Sequence, residues 1–173
     1  MSKNRPIPTS NEKKLNQNDF IVSKTDTKGV ITYGNQIFIN MSGYSEHELL
    51  GSPHNILRHP DMPKAVFKLL WDEIKNKKEV FAYVKNLCKD GSFYWVFANV
   101  TPSFDLSGNI IGYYSVRRKP NEKAIPKVAE LYNKLLETEK TAGVDSSMSL
   151  LNKYVSDNSM KYNEFIIHLQ KNS

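Results

Sequence analysis

The sequence of 173 residues contains a single cysteine, Cys88. One thiol excludes an internal disulfide framework and a site in which several thiolates of one chain hold a metal. No stretch approaches the roughly 18 consecutive apolar residues that cross a bilayer, and the basic start of the chain lacks the apolar segment of a secretory signal. We therefore expect a cytoplasmic protein without direct membrane insertion, which reaches a membrane only through a partner.

The sequence also lacks the motifs of common enzyme sites. It contains no HExxH zinc motif, no P-loop and no set of a nucleophile, a base and an orienting residue. Of the net charge of +6, residues 1–18 carry +3, residues 19–119 carry +3 and residues 120–173 are balanced, so only the short N-terminal arm is locally basic. A nucleic-acid-binding protein usually gathers its lysines and arginines on one element. We expect neither an enzyme nor a nucleic-acid-binding protein.

Three regions differ in their residue patterns. Residues 1–18 mix proline, asparagine and lysine with few apolar residues, which predicts a flexible N-terminal arm that docks at most in part and adds nothing to the core. Residues 19–119 alternate aromatic and β-branched strands with short helical segments, which predicts one folded domain. Residues 120–173 are helical in pattern and predict a C-terminal helical extension.

The order of elements in the middle region predicts its fold class. Asn35 is placed to cap a short helix, and Ser45 with Glu48 forms a capping box for the next. The segment 53–63 holds three prolines and cannot be one regular element. The remaining pattern predicts strands at 20–26, 30–33, 80–87, 93–100 and 110–116, and a longer helix at 64–75. This order predicts an α+β domain, a five-stranded antiparallel sheet with short helices on one face.

The helical extension offers more apolar surface than one small domain is expected to cover. The pattern breaks at residues 141–143, Asp145 or Ser146 is predicted to cap a second helix, and a third starts near Asn158. We expect this extension to transmit signals and dock, packed on itself or on a partner, and to lie outside any ligand pocket. A helical hairpin that merely covers the sheet is the alternative.

Several short motifs resemble those of PAS domains, namely Gly43-Tyr44-Ser45, residues 48–51 and Lys89-Asp90-Gly91. Residues 53–65, PHNILRHPDMPKA, with Phe67 and Trp71 after them, resemble more specifically the flavin-binding PAS domain of bacterial aerotaxis receptors. The resemblance covers roughly residues 19–136 and leaves out the transmembrane, HAMP and signalling regions of such a receptor. The chain is therefore similar to stand-alone energy-taxis PAS proteins that work beside a separate membrane transducer.

The resemblance implies an FAD cofactor and a set of residues that contact it. These cofactor-binding positions are His54, Arg58, His59, Asp61, Trp71 and Asn86. Asn86 matches the position that bonds the edge of the flavin ring, and His54 stands where light-sensing LOV relatives carry a reactive cysteine. No photochemical thiol adduct is then expected.

The residue types leave ordinary structural alternatives open at the same positions. Arg58 is suited to a phosphate because its planar fork makes paired charged hydrogen bonds, but a surface ion pair with Asp61 is the alternative. Asp61 is equally suited to cap the helix at 64–75. His59 is either presented at a pocket mouth or an ordinary polar loop residue, and Trp71 is by default a core aromatic.

These expectations combine into one functional hypothesis. The protein is interpreted as a redox or energy sensor that binds FAD in a PAS domain and signals by contact to a membrane-bound chemotaxis transducer on a separate chain. A homodimer remains open. A cofactor-free PAS interaction module and a haem-binding PAS gas sensor, with His54 or His59 as iron ligand, are the alternatives.

Overall fold

A computed structural model describes residues 5–172 of the chain. Five strands form one antiparallel sheet in the order β2-β1-β5-β4-β3. The strands are β1 Phe20–Thr25, β2 Ile31–Gly34, β3 Val80–Leu87, β4 Phe93–Phe104 and β5 Ile110–Arg118. The predicted α+β class with a five-stranded antiparallel sheet is confirmed, although β4 and β5 run further than predicted, to Phe104 and Arg118.

The helices between β2 and β3 follow the predicted capping pattern. They are α1 Gln36–Ser42, α2 Glu46–Leu49 and α3 Lys64–Lys75, with a short 3-10 helix at His54–Leu57. The side chain of Asn35 accepts a hydrogen bond from the Phe38 N–H, and Ser45 forms the capping box with Glu48. The N-cap of α3 is Pro63, which offers no side-chain hydrogen bond. The alternative of Asp61 as a helix cap is therefore wrong.

Three helices form the C-terminal extension: α4 Ile125–Ala142, α5 Val144–Asp157 and α6 Tyr162–Asn172. The predicted break is confirmed at Gly143, which separates α4 from α5. The predicted caps Asp145 and Ser146 are wrong, because α5 begins directly at Val144 with Gly143 as its N-cap.

The extension covers the free edge of β3, the last strand of the sheet. Asn163 accepts a hydrogen bond from the Phe81 N–H and donates one to the Glu79 carbonyl, both at 3.0 Å. The Tyr132 hydroxyl donates to the Tyr83 carbonyl at 2.6 Å. An edge strand with unpaired backbone groups can pair with a strand of another chain. These contacts occupy such groups of β3 and so disfavour that association.

The apolar faces of the extension are buried against the domain. On the sheet face away from α3, Tyr83, Trp95 and Phe97 join one buried cluster with side chains from all three helices of the extension. Those helical side chains are Val128, Leu131, Tyr132, Leu135, Leu151, Val155, Phe165, Ile166 and Leu169. The chain itself therefore covers the apolar surface on which the expectation of partner docking was based.

The N-terminal segment contributes a core residue, contrary to expectation. Leu15 is only 2% exposed and packs in the cluster that holds Ile21 and Phe38. The preceding residues run beside the start of β4, where the Lys13 N–H donates to the Phe93 carbonyl at 2.7 Å. A single leucine between polar residues carries no periodic signal, which is why the pattern missed it.

Candidate functional site

A cavity of about 260 Å³ lies between the sheet and α3. Alternate residues of a strand point to one face, and the sheet supplies the cavity with Ser23 and Thr25 from β1, Val84 and Asn86 from β3, Ala98 and Val100 from β4, and Tyr113, Ser115 and Arg117 from β5. The helix α3 supplies Phe67, Leu70, Trp71 and Ile74, whose spacing places them on one helical face. The cavity therefore has an apolar wall formed by α3, opposite a wall formed by the sheet that contains both polar and apolar side chains.

The two ends of the cavity differ in exposure. Lys28, Pro53 and Asn55 are exposed residues of the lining and form its mouth. Asn86 and Arg117 are 5% and 2% exposed and form its inner part. A ligand in this cavity would therefore meet solvent at one end and buried polar groups at the other.

Four of the six predicted ligand residues line this cavity. They are His54, Arg58, Trp71 and Asn86. His59 and Asp61 are not part of its lining. The structure thus brings most of the predicted set together and separates these two from it.

Trp71 forms part of the apolar wall. Its ring meets the ring of Tyr113 edge to face with centroids 5.4 Å apart. The tip of the indole lies against Gly29, where an added Cβ would stand 3.1 Å from two ring carbons. Gly29 also has a φ of 80°, a conformation that other residues adopt at a cost. The turn before β2 therefore fixes where the Trp71 ring lies.

Asn86 presents an unsatisfied donor in a buried setting. Within the described residues, its side-chain Nδ2 is one of the buried polar atoms that has no hydrogen-bond partner. A buried amide without a partner costs free energy, so native structures seldom leave one unpaired. Because Asn86 lies on the cavity wall, an acceptor atom of a bound ligand would provide the hydrogen bond that Nδ2 lacks.

Arg58 is a half-buried residue of the lining, and its backbone forms an isolated antiparallel bridge with that of Asn86. Its guanidinium carbon stands 4.5 Å from the centroid of the Phe67 ring. Burial lowers the pKa of Arg58, with the nearby charge of Arg5 as a smaller cause. The stacked ring orients the guanidinium and leaves its paired N–H groups available to a charged oxygen ligand.

His59 and Asp61 belong to a different cluster, beside Lys85. Asp61 pairs with Lys85 at 2.7 Å, so the alternative of an ion pair with Arg58 is not what the structure shows. Lys85 stands between Val84 and Asn86 on β3 and therefore faces away from the cavity. His59 is 3% exposed and its Nδ1 accepts a hydrogen bond from the Asp61 N–H at 3.1 Å. Burial, and then Lys85, lower the pKa of His59.

Arg117 is a cavity residue that the sequence pattern did not single out. The predicted strand ended at Val116, one residue short of it, whereas β5 continues through Arg118. The available signal was alternation, because Tyr113 and Ser115 share its face. Burial lowers the pKa of Arg117 to about 10, which leaves it charged at neutral pH.

His54 sits beside Arg117 at the inner part of the cavity. Its Nε2 lies 3.1 Å from the Ser23 hydroxyl, and its ring stacks on Phe38 with centroids 6.0 Å apart. Burial and the neighbouring Arg117 charge lower the pKa of His54 to about 3. His54 is therefore neutral at physiological pH and offers a ring nitrogen rather than a charge.

Cys88 lies apart from the cavity lining. It is fully buried, and its thiol donates to the Met41 carbonyl at 3.2 Å. Burial raises the pKa of this thiol, which reduces its reactivity. Residues 5–172 contain no helix that is long and apolar enough to cross a bilayer.

Comparison with known proteins agrees with this fold. Residues 31–117, half of the chain, match the family described as PAS fold. The chain is 40% identical over 130 residues to the aerotaxis receptor of Escherichia coli (strain K12), a match that covers 75% of this chain and 26% of the receptor. It spans about a quarter or less of the length of the curated relatives it matches.

Two solved structures are similar in both sequence and fold. A light-oxygen-voltage domain studied with a flavin analogue is 28% identical with a TM-score of 0.53, covering 69% of this chain and 87% of that chain. The dark structure of the blue-light photoreceptor Aureochrome1 LOV is 27% identical with a TM-score of 0.53, covering 71% and 87%.

Proposed function

This chain belongs to the PAS family, and on that premise we propose that it is a redox-sensing PAS protein whose cavity binds FAD. One observation carries the proposal: four of the six residues expected at the cofactor line a single cavity, and the buried Nδ2 of one of them, Asn86, has no hydrogen-bond partner among residues 5–172. The likeness to a light-oxygen-voltage domain studied with a flavin analogue supports the same ligand class.

The residues of the cavity fit a flavin. Small-molecule sites are mostly apolar, with a few placed polar groups, and usually measure roughly 300–1,000 Å³. This cavity, at about 260 Å³, lies just below that range and is open at its mouth. Such a volume suits a planar ring inside, with the rest of a dinucleotide directed outward.

Each lining residue then has a defined task. Phe67, Leu70 and Trp71 pack against the ring and exclude water from it. Asn86 offers its N–H group to an acceptor at the ring edge, and Arg58 offers paired donors to a phosphate. When bound, the flavin would supply reversible acceptance of electrons.

The location of Asn86 suggests how a change at the ring is passed on. Asn86 lies on β3, and the free edge of that strand is held by Tyr132 and Asn163 of the extension. A change in the hydrogen bonding of Asn86 would therefore shift a strand that contacts α4 and α6 directly. We propose that the surface formed by β3, α4 and α6 contacts a membrane-bound chemotaxis transducer in the cytoplasm. The likeness to the aerotaxis receptor suggests this context.

The cavity offers less support for a haem. An iron ligand needs a free imidazole nitrogen. Nε2 of His54 is engaged with Ser23 at 3.1 Å and lies 3.5 Å from a charged Arg117 nitrogen. His59, the other candidate ligand, is not in the cavity lining.

An absorption spectrum of the purified full chain tests the proposal directly. We expect the two-banded spectrum of a flavin and, after heat release and chromatography, FAD in about one equivalent per chain. A Soret band would indicate haem, and a colourless protein that takes up no added FAD would indicate a cofactor-free interaction module.

A pair of variants tests the assigned pocket. Arg58→Ala should leave a folded protein with less FAD, because the phosphate contact is lost. Arg118→Ala removes the same charge from the exposed side of β5, where the guanidinium lies over Phe97, and should keep the wild-type content. Equal FAD content in both variants would contradict the assignment.

A further inference from the structure

Arg117 is a buried cation for which the described part of the chain provides no opposite charge. It is 2% exposed on the cavity face of β5. None of the ion pairs within residues 5–172 involves it. A charge that leaves water is costly unless a counter-charge or hydrogen bonds compensate it.

The groups that contact Arg117 compensate it only in part. One terminal nitrogen donates to the Ser23 hydroxyl, and the guanidinium carbon lies 4.7 Å from the centroid of the Phe38 ring. The other terminal nitrogen is 3.5 Å from Nε2 of His54, which is too long for a strong hydrogen bond. All three neighbours are uncharged in their usual forms at neutral pH.

One donor of Arg117 is left over. Its Nε is a buried nitrogen for which the described residues provide no hydrogen-bond partner. A structural arginine in a core would normally have its donors satisfied, because each unpaired one adds to the cost. The unpaired donor and the missing counter-charge occur on the same side chain, at the buried part of a ligand-sized cavity.

We propose that Arg117 supplies the positive charge that holds a negatively charged ligand edge in the inner part of the cavity. The inference rests on the proposed function: the ligand edge is that of the reduced flavin. Arg117 then makes the protein prefer reduced over oxidised ligand, which raises the midpoint potential of the bound ligand.

The charge balance of the assay is simple. Dithionite supplies two electrons and is oxidised to sulfite, and solvent supplies one proton, so that one negative charge is added to the ligand. Arg117 stabilises that added charge by the Coulomb interaction, which is strong where water is excluded. The preference is measured as the ratio of two dissociation constants, for oxidised FAD and for dithionite-reduced FAD.

The test compares this ratio among the full-length wild type, Arg117→Gln, Arg117→Lys and Arg118→Gln. We expect Arg117→Gln to lower the preference for reduced FAD about tenfold or more, which corresponds to a two-electron midpoint potential about 30 mV more negative. Arg117→Lys keeps the charge and should retain most of the preference. Arg118→Gln removes the neighbouring charge on the opposite face and should leave it unchanged.

Two outcomes separate the inference from the proposed function. If the wild type binds FAD but Arg117→Gln has the ratio of Arg118→Gln, the inference is overturned while FAD binding stands. If the wild type binds no FAD in either redox state, the proposed function fails and the flavin edge with it, and ligand-free stability then decides only whether Arg117 serves a negatively charged ligand. Arg117→Met should raise or preserve the thermal midpoint of the ligand-free chain if the charge awaits a ligand, and a lowered midpoint would show that Arg117 is structural.

Discussion

Glu139, near the end of α4, accepts a hydrogen bond from the backbone N–H of Ala65 at 2.8 Å. Ala65 lies in the first turn of α3, where N–H groups have no partner within the helix. The preceding Pro63 provides no side-chain cap. A carboxylate of the extension therefore completes the start of the helix that carries Trp71 to the cavity, and it joins the extension to the cavity wall.

Loss of this contact should destabilise the protein as loss of a helix cap does. We expect Glu139→Ala to lower the free energy of unfolding by about 0.5–2 kcal/mol. Glu139→Gln keeps an acceptor and should lose less. Urea denaturation measures the change, with Glu137→Ala, an exposed glutamate of the same helix, as the control. Equal losses for Glu139→Ala and Glu137→Ala would show that the contact contributes nothing.

The contact between Gly29 and Trp71 leads to a second expected outcome. In Gly29→Ala, the new Cβ would stand 3.1 Å from the indole, so the ring must shift. The positive φ adds a backbone cost of about 1–2 kcal/mol. We expect lower stability together with reduced FAD content, measured by denaturation and by absorbance.

Gly108→Ala is the matched control for this experiment. Gly108 has a φ of 79°, close to that of Gly29, but an added Cβ would meet nothing within 4 Å. Both variants should lose similar backbone stability, whereas only Gly29→Ala should lose FAD. Unchanged FAD content in Gly29→Ala would mean that the position of Trp71 does not govern binding.

Local sequence signals predicted the elements of the domain well. The bounds of α3 and β3 follow from apolar periodicity, and the caps Asn35 and Ser45 follow from hydrogen-bonding chemistry that acts over three residues. Features that depend on contacts between residues distant in sequence could not be predicted from local patterns. The start of α3 is completed by Glu139, 74 residues away, which no local cap could indicate.

The residues of the site could be predicted only where they lie on a periodic strand or helix. Alternation along β3 places Asn86 on the cavity face, and the helical period places Trp71 there. His59 and Asp61 follow Arg58 directly, but the chain turns past the edge of β3, and Asp61 pairs with Lys85 on the other face. A short segment that crosses a sheet edge has no periodicity from which its side-chain directions could be inferred.

The likeness to blue-light photoreceptors makes the response to light a useful test. His54 lines the cavity, while Cys88 is buried outside its lining. We therefore expect blue illumination of the FAD-loaded protein to give no long-lived thiol adduct in the absorption spectrum. Cys88→Ser should behave identically. A slowly reversing bleach that Cys88→Ser abolishes would contradict the assigned positions.

The ligand-free protein should become less stable as the pH decreases, because His54 takes up a proton more readily in the unfolded chain. Its pKa is lowered from 6.5 to about 3, by burial and then by Arg117, so the unfolded chain binds this proton more readily than the folded chain. Stability is then fully present above the unfolded pKa of 6.5 and is lost as the pH falls below it toward 3. Between pH 7 and pH 5 this single group accounts for about 2 kcal/mol.

The difference between two pH values isolates this effect from the contacts of the ring. His54→Gln alters the hydrogen bond to Ser23 and the contact with Arg117 at both pH values, so that contribution cancels in the comparison. We expect the loss of unfolding free energy between pH 7 and pH 5 to be about 2 kcal/mol smaller in His54→Gln than in the wild type. His168→Gln, which removes an exposed histidine, is the control.

Burial of His59 also lowers its pKa, so part of the acid sensitivity should remain in His54→Gln. An unchanged difference between the two pH values in His54→Gln would mean that His54 takes up its proton equally well in the folded and unfolded chain, and that the inner cavity is more hydrated than its burial indicates.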